Sequence, residues 1–161
     1  MLKKQQMFNY KKGLYIMKIS TKGRYGLRLV LELSLNEGKG VIPLREIAKK
    51  QAISEKYLEQ IIMTLSRNGI VKSVRGANGG YMLSRKASEI TVGEVLRALE
   101  GPLVPVDCVG DDGSCDRADE CLSRGLWTKL RVAIENVVDN VTLKDLIEGK
   151  REYIKHKVGK F

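Results

Sequence analysis

Residues 54–83, SEKYLEQIIMTLSRNGIVKSVRGANGGYML, decide the fold of this 161-residue chain. Apolar residues first recur at helix spacing and stop at Asn68-Gly69, which is a typical helix end. This apolar stripe consists of Leu58, Ile61, Ile62 and Leu65. The apolar period then changes to two over residues 70–74 and 81–83, with a glycine-rich turn between them. The stretch predicts a helix followed by a two-stranded hairpin.

Two further helices are predicted upstream of this stretch. The first has an apolar face made by Gly26, Leu29, Val30 and Leu33. The second has Pro43 in its first turn and an apolar face made by Leu44, Ile47 and Ala48. Ala52-Ile53 indicates a tight turn, and Ser54 is a suitable N-cap for the third helix. Helix, short helix, turn, helix and hairpin form, in this order, a winged helix-turn-helix.

Downstream, Thr91 and Glu94 predict a capping box, and the helix behind it buries Val92, Val95, Leu96 and Leu99. A loop with all three cysteines follows. A seam of apolar residues, spaced three and four positions apart, then indicates a long helix. This helix is either a coiled-coil-like dimerisation helix or a helix packed on its own domain. The seam consists of Trp127, Leu130, Ile134, Val137 and Val141. Thr142 and Asp145 are predicted to cap a last short helix that ends at Gly149.

The predicted fold class is therefore mainly α with a small β-hairpin. Residues 1–16 are expected to be a basic arm or an upstream mis-start, and residues 17–100 the DNA-binding domain. Residues 101–124 form the cysteine loop, residues 125–150 the dimerisation helix and the short last helix, and residues 151–161 a charged tail.

The outward face of the third helix carries groups that are suited to reading DNA. Its polar residues are Glu55, Lys56, Glu59, Gln60 and Arg67. Gln60 is suited to pair with adenine, and Glu59 to accept a hydrogen bond from the cytosine amino group. Lys56 and Arg67 are suited to contact phosphates. In the hairpin turn, Arg75 is suited to enter a narrow minor groove. Gly76, Gly79 and Gly80 are expected to supply positive φ there.

The charge distribution also favours a polyanionic partner, although a merely basic soluble protein remains the alternative. The net charge is +10, and residues 17–100 carry 15 basic and 8 acidic side chains, a net of +7.

No apolar run spans a membrane and the N-terminus does not resemble a signal peptide, which predicts a cytoplasmic protein. With one histidine and no nucleophile–base pair, an enzyme with a small-molecule substrate is not expected. A protein-interaction module that does not bind DNA is a further alternative.

The cysteines follow the spacing Cys108-x6-Cys115-x5-Cys121. This spacing is not typical of a zinc knuckle, and there is no CxxC redox motif. Three thiolates on one loop are able to hold an iron–sulfur cluster, but another metal or three inert thiols fit the spacing equally well. Residues 101–124 carry 2 basic and 6 acidic side chains, a net of −4, so the loop is expected to face away from DNA.

From Met17 to Gly149 the chain resembles the IscR-type winged-helix regulators, which control iron–sulfur cluster assembly, and their nitric-oxide-sensing and cysteine-metabolism relatives. The matching stretches are STKGRY at 20–25, ISEKYLEQ at 53–60, NGIVKSVRGANGGY at 68–81, CLSRGLW at 121–127 and NVTL at 140–143. Together they are specific, although each motif alone remains a hypothesis.

The resemblance implies a homodimer that binds double-stranded DNA, most simply as a repressor. It implies that Cys108, Cys115 and Cys121 hold a cluster, expected to be [2Fe–2S]. The fourth ligand is unknown, because the histidine of IscR-type proteins is Arg124 here and the aspartate of the nitric-oxide sensors is Arg24. The first cysteine gap is one residue longer than in IscR, and the cysteine-metabolism relatives lack this loop. The matching stretches and the hairpin give these candidate DNA contacts: Thr21, Lys22, Arg24, Ser54, Lys56, Tyr57, Glu59, Gln60, Arg75 and Gly76.

Overall fold

The computed structural model describes residues 19–111 and 115–149, so the predicted arm at 1–16 and tail at 151–161 lie outside the described residues. The helices are α1 Thr21–Leu35, α2 Leu44–Gln51, α3 Glu55–Arg67, α4 Val92–Glu100, α5 Arg124–Asp139 and α6 Leu143–Ile147. The strands are β1 Val71–Val74 and β2 Gly80–Leu83, and short 3-10 turns lie at Ala87–Glu89 and Asp107–Val109. The predicted fold class is confirmed.

The first three helices share one apolar core. The predicted apolar stripes of α1, α2 and α3 are buried, and Leu29, Leu58, Ile61 and Leu65 are fully shielded from solvent. Pro43 is the N-cap of α2 and not a residue of its first turn, because its ψ of 139° is extended. Ala52 ends α2 in the left-handed region with φ 53°, which makes the predicted tight turn before α3.

The hairpin is antiparallel, with Val71 opposite Leu83 and Val74 opposite Gly80. It is tied to the chain before α2, because the backbones of Ile42 and Tyr81 exchange two hydrogen bonds of 2.9 Å. Ile70 lies just before β1, since its N–H closes the end of α3 on the Leu65 carbonyl at 3.0 Å. The hairpin is therefore fixed at both its base and its edge.

The C-terminal part of the chain returns to this core. Thr91 and Thr142 each form a capping box, with Glu94 and Asp145 as predicted, and the two caps form a β-bridge with each other. The bridge places Leu143 at 0% exposure inside the main core. The short last helix is thus part of the main core.

The long helix α5 is less covered than the other long helices. No residue of α5 is buried, whereas Leu126 is 54% exposed and Val132 is 46% exposed. Its C-terminal end is held to α4 by Arg97, whose two terminal nitrogens donate to Asp139 at 2.5 and 2.8 Å.

No helix within residues 19–111 and 115–149 is long and apolar enough to cross a membrane.

Candidate nucleic-acid interface and cysteine loop

Helix α3 presents its predicted polar face to solvent. Glu55, Lys56, Glu59, Gln60 and Arg67 are all exposed. The opposite face is buried in the core, so the helix is anchored on one side and free on the other. Ser54 caps it by accepting a hydrogen bond from the Tyr57 N–H at 3.3 Å. This is the arrangement that a helix needs to enter a major groove.

A polar network braces the turn before α3. Arg28 of α1 donates to the Gln51 side chain at 2.7 Å and to the Gln51 carbonyl at 2.6 Å. Gln51 in turn donates to Glu32, which is 8% exposed and also pairs with Lys50 at 2.5 Å. No local sequence pattern indicates this network, because its paired residues on α1 and α2 lie 18 to 23 positions apart. It fixes the end of α2, and hence the start of α3, on α1.

The first turns of α1 and α3 meet through two tyrosines. The rings of Tyr25 and Tyr57 make an edge-to-face contact at 6.0 Å between centroids, and Arg28 lies 5.3 Å from the Tyr25 ring centre. This contact brings the predicted DNA contacts at the start of α1 to the side of α3. Those contacts are Thr21 and Arg24, which are exposed, and Lys22, which is partly exposed.

The wing turn holds Arg75 and Gly76 in solvent. Only Gly76 has the expected positive φ, at 118°; for Gly79 and Gly80 that prediction is wrong. Glycine is required at these two positions because other backbone atoms lie close to them. A Cβ on Gly79 would overlap the Val74 carbonyl oxygen, and one on Gly80 would lie 2.6 Å from the Ile42 carbonyl group. The glycines therefore keep the hairpin tight behind Arg75.

The cysteine loop carries three half-buried free thiols. Cys108 lies in the short 3-10 turn, Cys115 follows the undescribed residues 112–114, and Cys121 lies just before α5. Within the described ranges, no three His, Cys, Asp or Glu side chains lie close enough together to hold a metal ion. The donor set thus has the chemistry of a cluster site, but the structure does not gather its thiols at one point.

The surroundings of Cys121 favour the deprotonated form of its thiol. A hydrogen bond with Ser123 Oγ, 3.4 Å from Sγ, lowers the pKa of Cys121 below its ordinary value, assisted by the backbone N–H groups of Ser123 and Arg124. These N–H groups belong to the start of α5, where a helix stabilises negative charge. The thiolate, which is the form that binds metals and reacts with electrophiles, is favoured at this position.

Arg131 of α5 holds the first half of the loop. It donates to the Val109 carbonyl and to Asp111, both at 2.5 Å, and to Glu135 one turn along its own helix at 2.8 Å. The loop segment beside Cys108 is therefore tied to the long helix. No local pattern in the sequence points to this contact, because it joins residues 20 and 22 positions apart.

Comparisons with known proteins agree with this architecture. A family model described as Rrf2, iron-dependent transcriptional regulator, matches residues 19–149. The HTH-type transcriptional regulator CymR of Bacillus subtilis is 45% identical over 139 residues, which cover 84% of this chain and 96% of CymR. IscR of Klebsiella pneumoniae is 40% identical over 134 residues, which cover 83% of this chain and 82% of IscR.

Two solved structures show the same likeness. The structure of B. subtilis CymR, described as the global cysteine regulator of that organism, has a TM-score of 0.68 at 44% identity and covers 81% of this chain and 96% of its own. The structure of T. potens IscR has a TM-score of 0.67 at 40% identity and covers 84% of this chain and 90% of its own. These relatives are transcriptional regulators and not enzymes.

Proposed function

The chain belongs to the Rrf2 family of transcriptional regulators, and from this premise we propose that it binds a two-fold-related operator as a homodimer and carries an iron–sulfur cluster on its three-cysteine loop. Membership of this DNA-binding family disfavours the alternative of a protein-interaction module without DNA. The observation that carries the DNA-reading proposal is the exposed polar face of α3, anchored by its buried stripe and flanked by the α1 first turn and the wing.

In this proposal the contacts have distinct roles. Glu59 and Gln60 read base edges in the major groove, and Arg75 enters the minor groove beside Gly76. The remaining candidates position the protein on phosphates and sugars and carry no sequence information themselves. They are Thr21, Lys22, Arg24, Ser54, Lys56 and Tyr57.

Replacement of Glu59 by alanine is expected to relax the preference for one base pair in each half-site by about 1–3 kcal/mol. Lys56→Ala, on the same exposed face, is expected to weaken binding to all sequences alike and to lower the salt dependence. Both variants are measured by competition binding against a library of operator variants. If both lose affinity equally on every sequence, the assigned roles are wrong.

The proposed dimer interface lies on α5. In the single chain this helix leaves a row of apolar residues without full cover, and Leu130, Ile134 and Val137 are only half-buried. These residues recur every three or four positions along one face, as the seam between two helices requires. A second copy of α5 is the partner with a matching row.

Leu130→Asp is expected to weaken the dimer roughly a hundredfold or more, because each dimer would bury two unpaired carboxylates. Val132→Asp is the matched control: it lies two positions away, on the other side of the helix, and is 46% exposed. Sedimentation over a range of concentrations measures both variants. Equal dissociation of both, or of neither, would contradict the proposed seam.

The cluster is proposed from the donor set. Cys108, Cys115 and Cys121 are free thiols on one loop, which is the ligand type that iron–sulfur clusters require, and the hydrogen bond with Ser123 lowers the pKa of Cys121. A bound cluster would supply a group whose presence depends on iron, sulfide and oxidants. Because the thiols are not gathered in the structure, binding requires the loop to draw them together. The iron and acid-labile sulfide content per chain tests this proposal.

A second candidate keeps DNA binding but replaces the cluster by reversible thiol chemistry. The observation that favours it is the separation of the thiols together with the position of Cys121 at the start of α5. The similarity to a protein described as a global cysteine regulator is consistent with it. The same iron and sulfide analysis separates the two candidates.

A further inference from the structure

We propose that Glu100 is a positioning residue that couples the cysteine loop to the DNA-contacting first turn of α1. The inference rests on the proposed function in two respects, namely that the first turn of α1 contacts DNA and that the loop changes conformation when its thiols are occupied. Glu100 is the last residue of α4, and Gly101, with φ 83°, starts the loop.

The contact itself joins two distant parts of the sequence. The Ser20 hydroxyl donates to Glu100 Oε1 at 2.5 Å across 80 positions of the sequence. Ser20 is also the N-cap of α1, and its hydroxyl oxygen accepts from the Gly23 N–H at 3.1 Å. One serine hydroxyl therefore links the loop-side end of α4 to the first-turn backbone of α1.

The backbone of α1 is shaped to admit this carboxylate. A Cβ on Gly23 would overlap Glu100 Oε1 and lie 3.1 Å from Cδ, so a side chain at this position would displace the carboxylate. Gly26, one turn later, makes the same room for the Leu99 side chain. Two glycines thus seat the last two residues of α4 against the start of α1.

The consequence for DNA follows from position and charge. The first turn of α1 carries Thr21, Lys22 and Arg24, and the Glu100 carboxylate lies at the positive end of that helix, where it stabilises the turn. A loop that draws its thiols together pulls on Gly101, the residue bonded to Glu100. Release of Glu100 removes the acceptor of the Ser20 hydroxyl and loosens the turn that approaches DNA, which gives the loop a direct effect on affinity.

The test uses the full chain without a cluster, so that it does not depend on cluster binding or on DNA. Iodoacetamide alkylates the thiols of the loop and thereby perturbs it, and amide hydrogen exchange reports on the first two turns of α1. In the wild type, alkylation is expected to speed exchange there about tenfold or more. In Glu100→Ala, exchange is expected to be fast before alkylation and to change less than about twofold.

Three further variants separate coupling from simple loss of packing. Glu100→Gln keeps the acceptor for Ser20 and is expected to keep the wild-type response. Gly23→Ala favours the helix but displaces the carboxylate, so it is expected to behave as Glu100→Ala does. Glu46→Ala removes an exposed carboxylate from α2 and is expected to match the wild type.

Exchange in the buried part of α3 is the internal control and is expected to stay unchanged in all variants. The proposal is overturned if alkylation leaves α1 unchanged in the wild type, or if Glu100→Ala responds to alkylation as the wild type does. Absence of a cluster or of operator binding would contradict the proposed function but would leave this result intact.

Discussion

Replacement of Leu143 by alanine is expected to lower the free energy of unfolding by about 2–5 kcal/mol, the range for a buried leucine whose cavity does not collapse. Leu143 lies beyond the long helix, at the start of the five-residue helix α6, yet it is 0% exposed and belongs to the main core. Its N–H also donates to the Ile90 carbonyl at 2.9 Å, which fixes its backbone against the segment before α4.

Urea unfolding of Leu143→Ala measures this loss, and Leu35→Ala is the control. Leu35 is the last residue of α1 and is 49% exposed, so its replacement is expected to cost less than about 1 kcal/mol. Equal effects of the two substitutions would mean that α6 does not complete the core. The protein concentration is held constant, because a dimer's stability depends on it.

The second large effect is expected at the loop. Replacement of Cys108, Cys115 or Cys121 by alanine removes one of three thiolates, which leaves only two for a cluster that ordinarily takes four protein ligands. Each variant is expected to lose nearly all of its iron and sulfide. Its melting temperature is expected to stay the same, and it is expected to bind operator DNA at low salt as before. If one variant keeps its full iron and sulfide content, the cysteine replaced in that variant is not a ligand.

The elements that the sequence predicts well are those set by neighbours along the chain. The apolar stripes of α1 to α4, the capping boxes at Thr91 and Thr142 and the positive φ of Gly76 all depend on residues within about one turn. The structure confirms each of them. Their spacing carries the information, so no tertiary knowledge was required.

What the sequence does not predict depends on contacts across the fold. Glycine is required at positions 79 and 80 because other backbone atoms lie close by. Arg28, Arg131 and Glu100 each have a partner that lies 20 to 80 positions away. Arginine and glutamate side chains are long and find partners in many directions, so their type alone does not reveal them. The candidate DNA contacts were accessible from pattern and resemblance because they lie on exposed faces of predictable elements.

The central claim is that the three-cysteine loop of this Rrf2-family regulator holds an iron–sulfur cluster. The most direct measurement is the iron and acid-labile sulfide content per chain, with the visible absorbance spectrum, of protein purified without oxygen. We predict visible charge-transfer bands and iron and sulfide in equal amounts. A colourless protein that takes up neither iron nor sulfide on reconstitution, yet still binds DNA, would contradict the claim and would assign the cysteines to thiol or zinc chemistry.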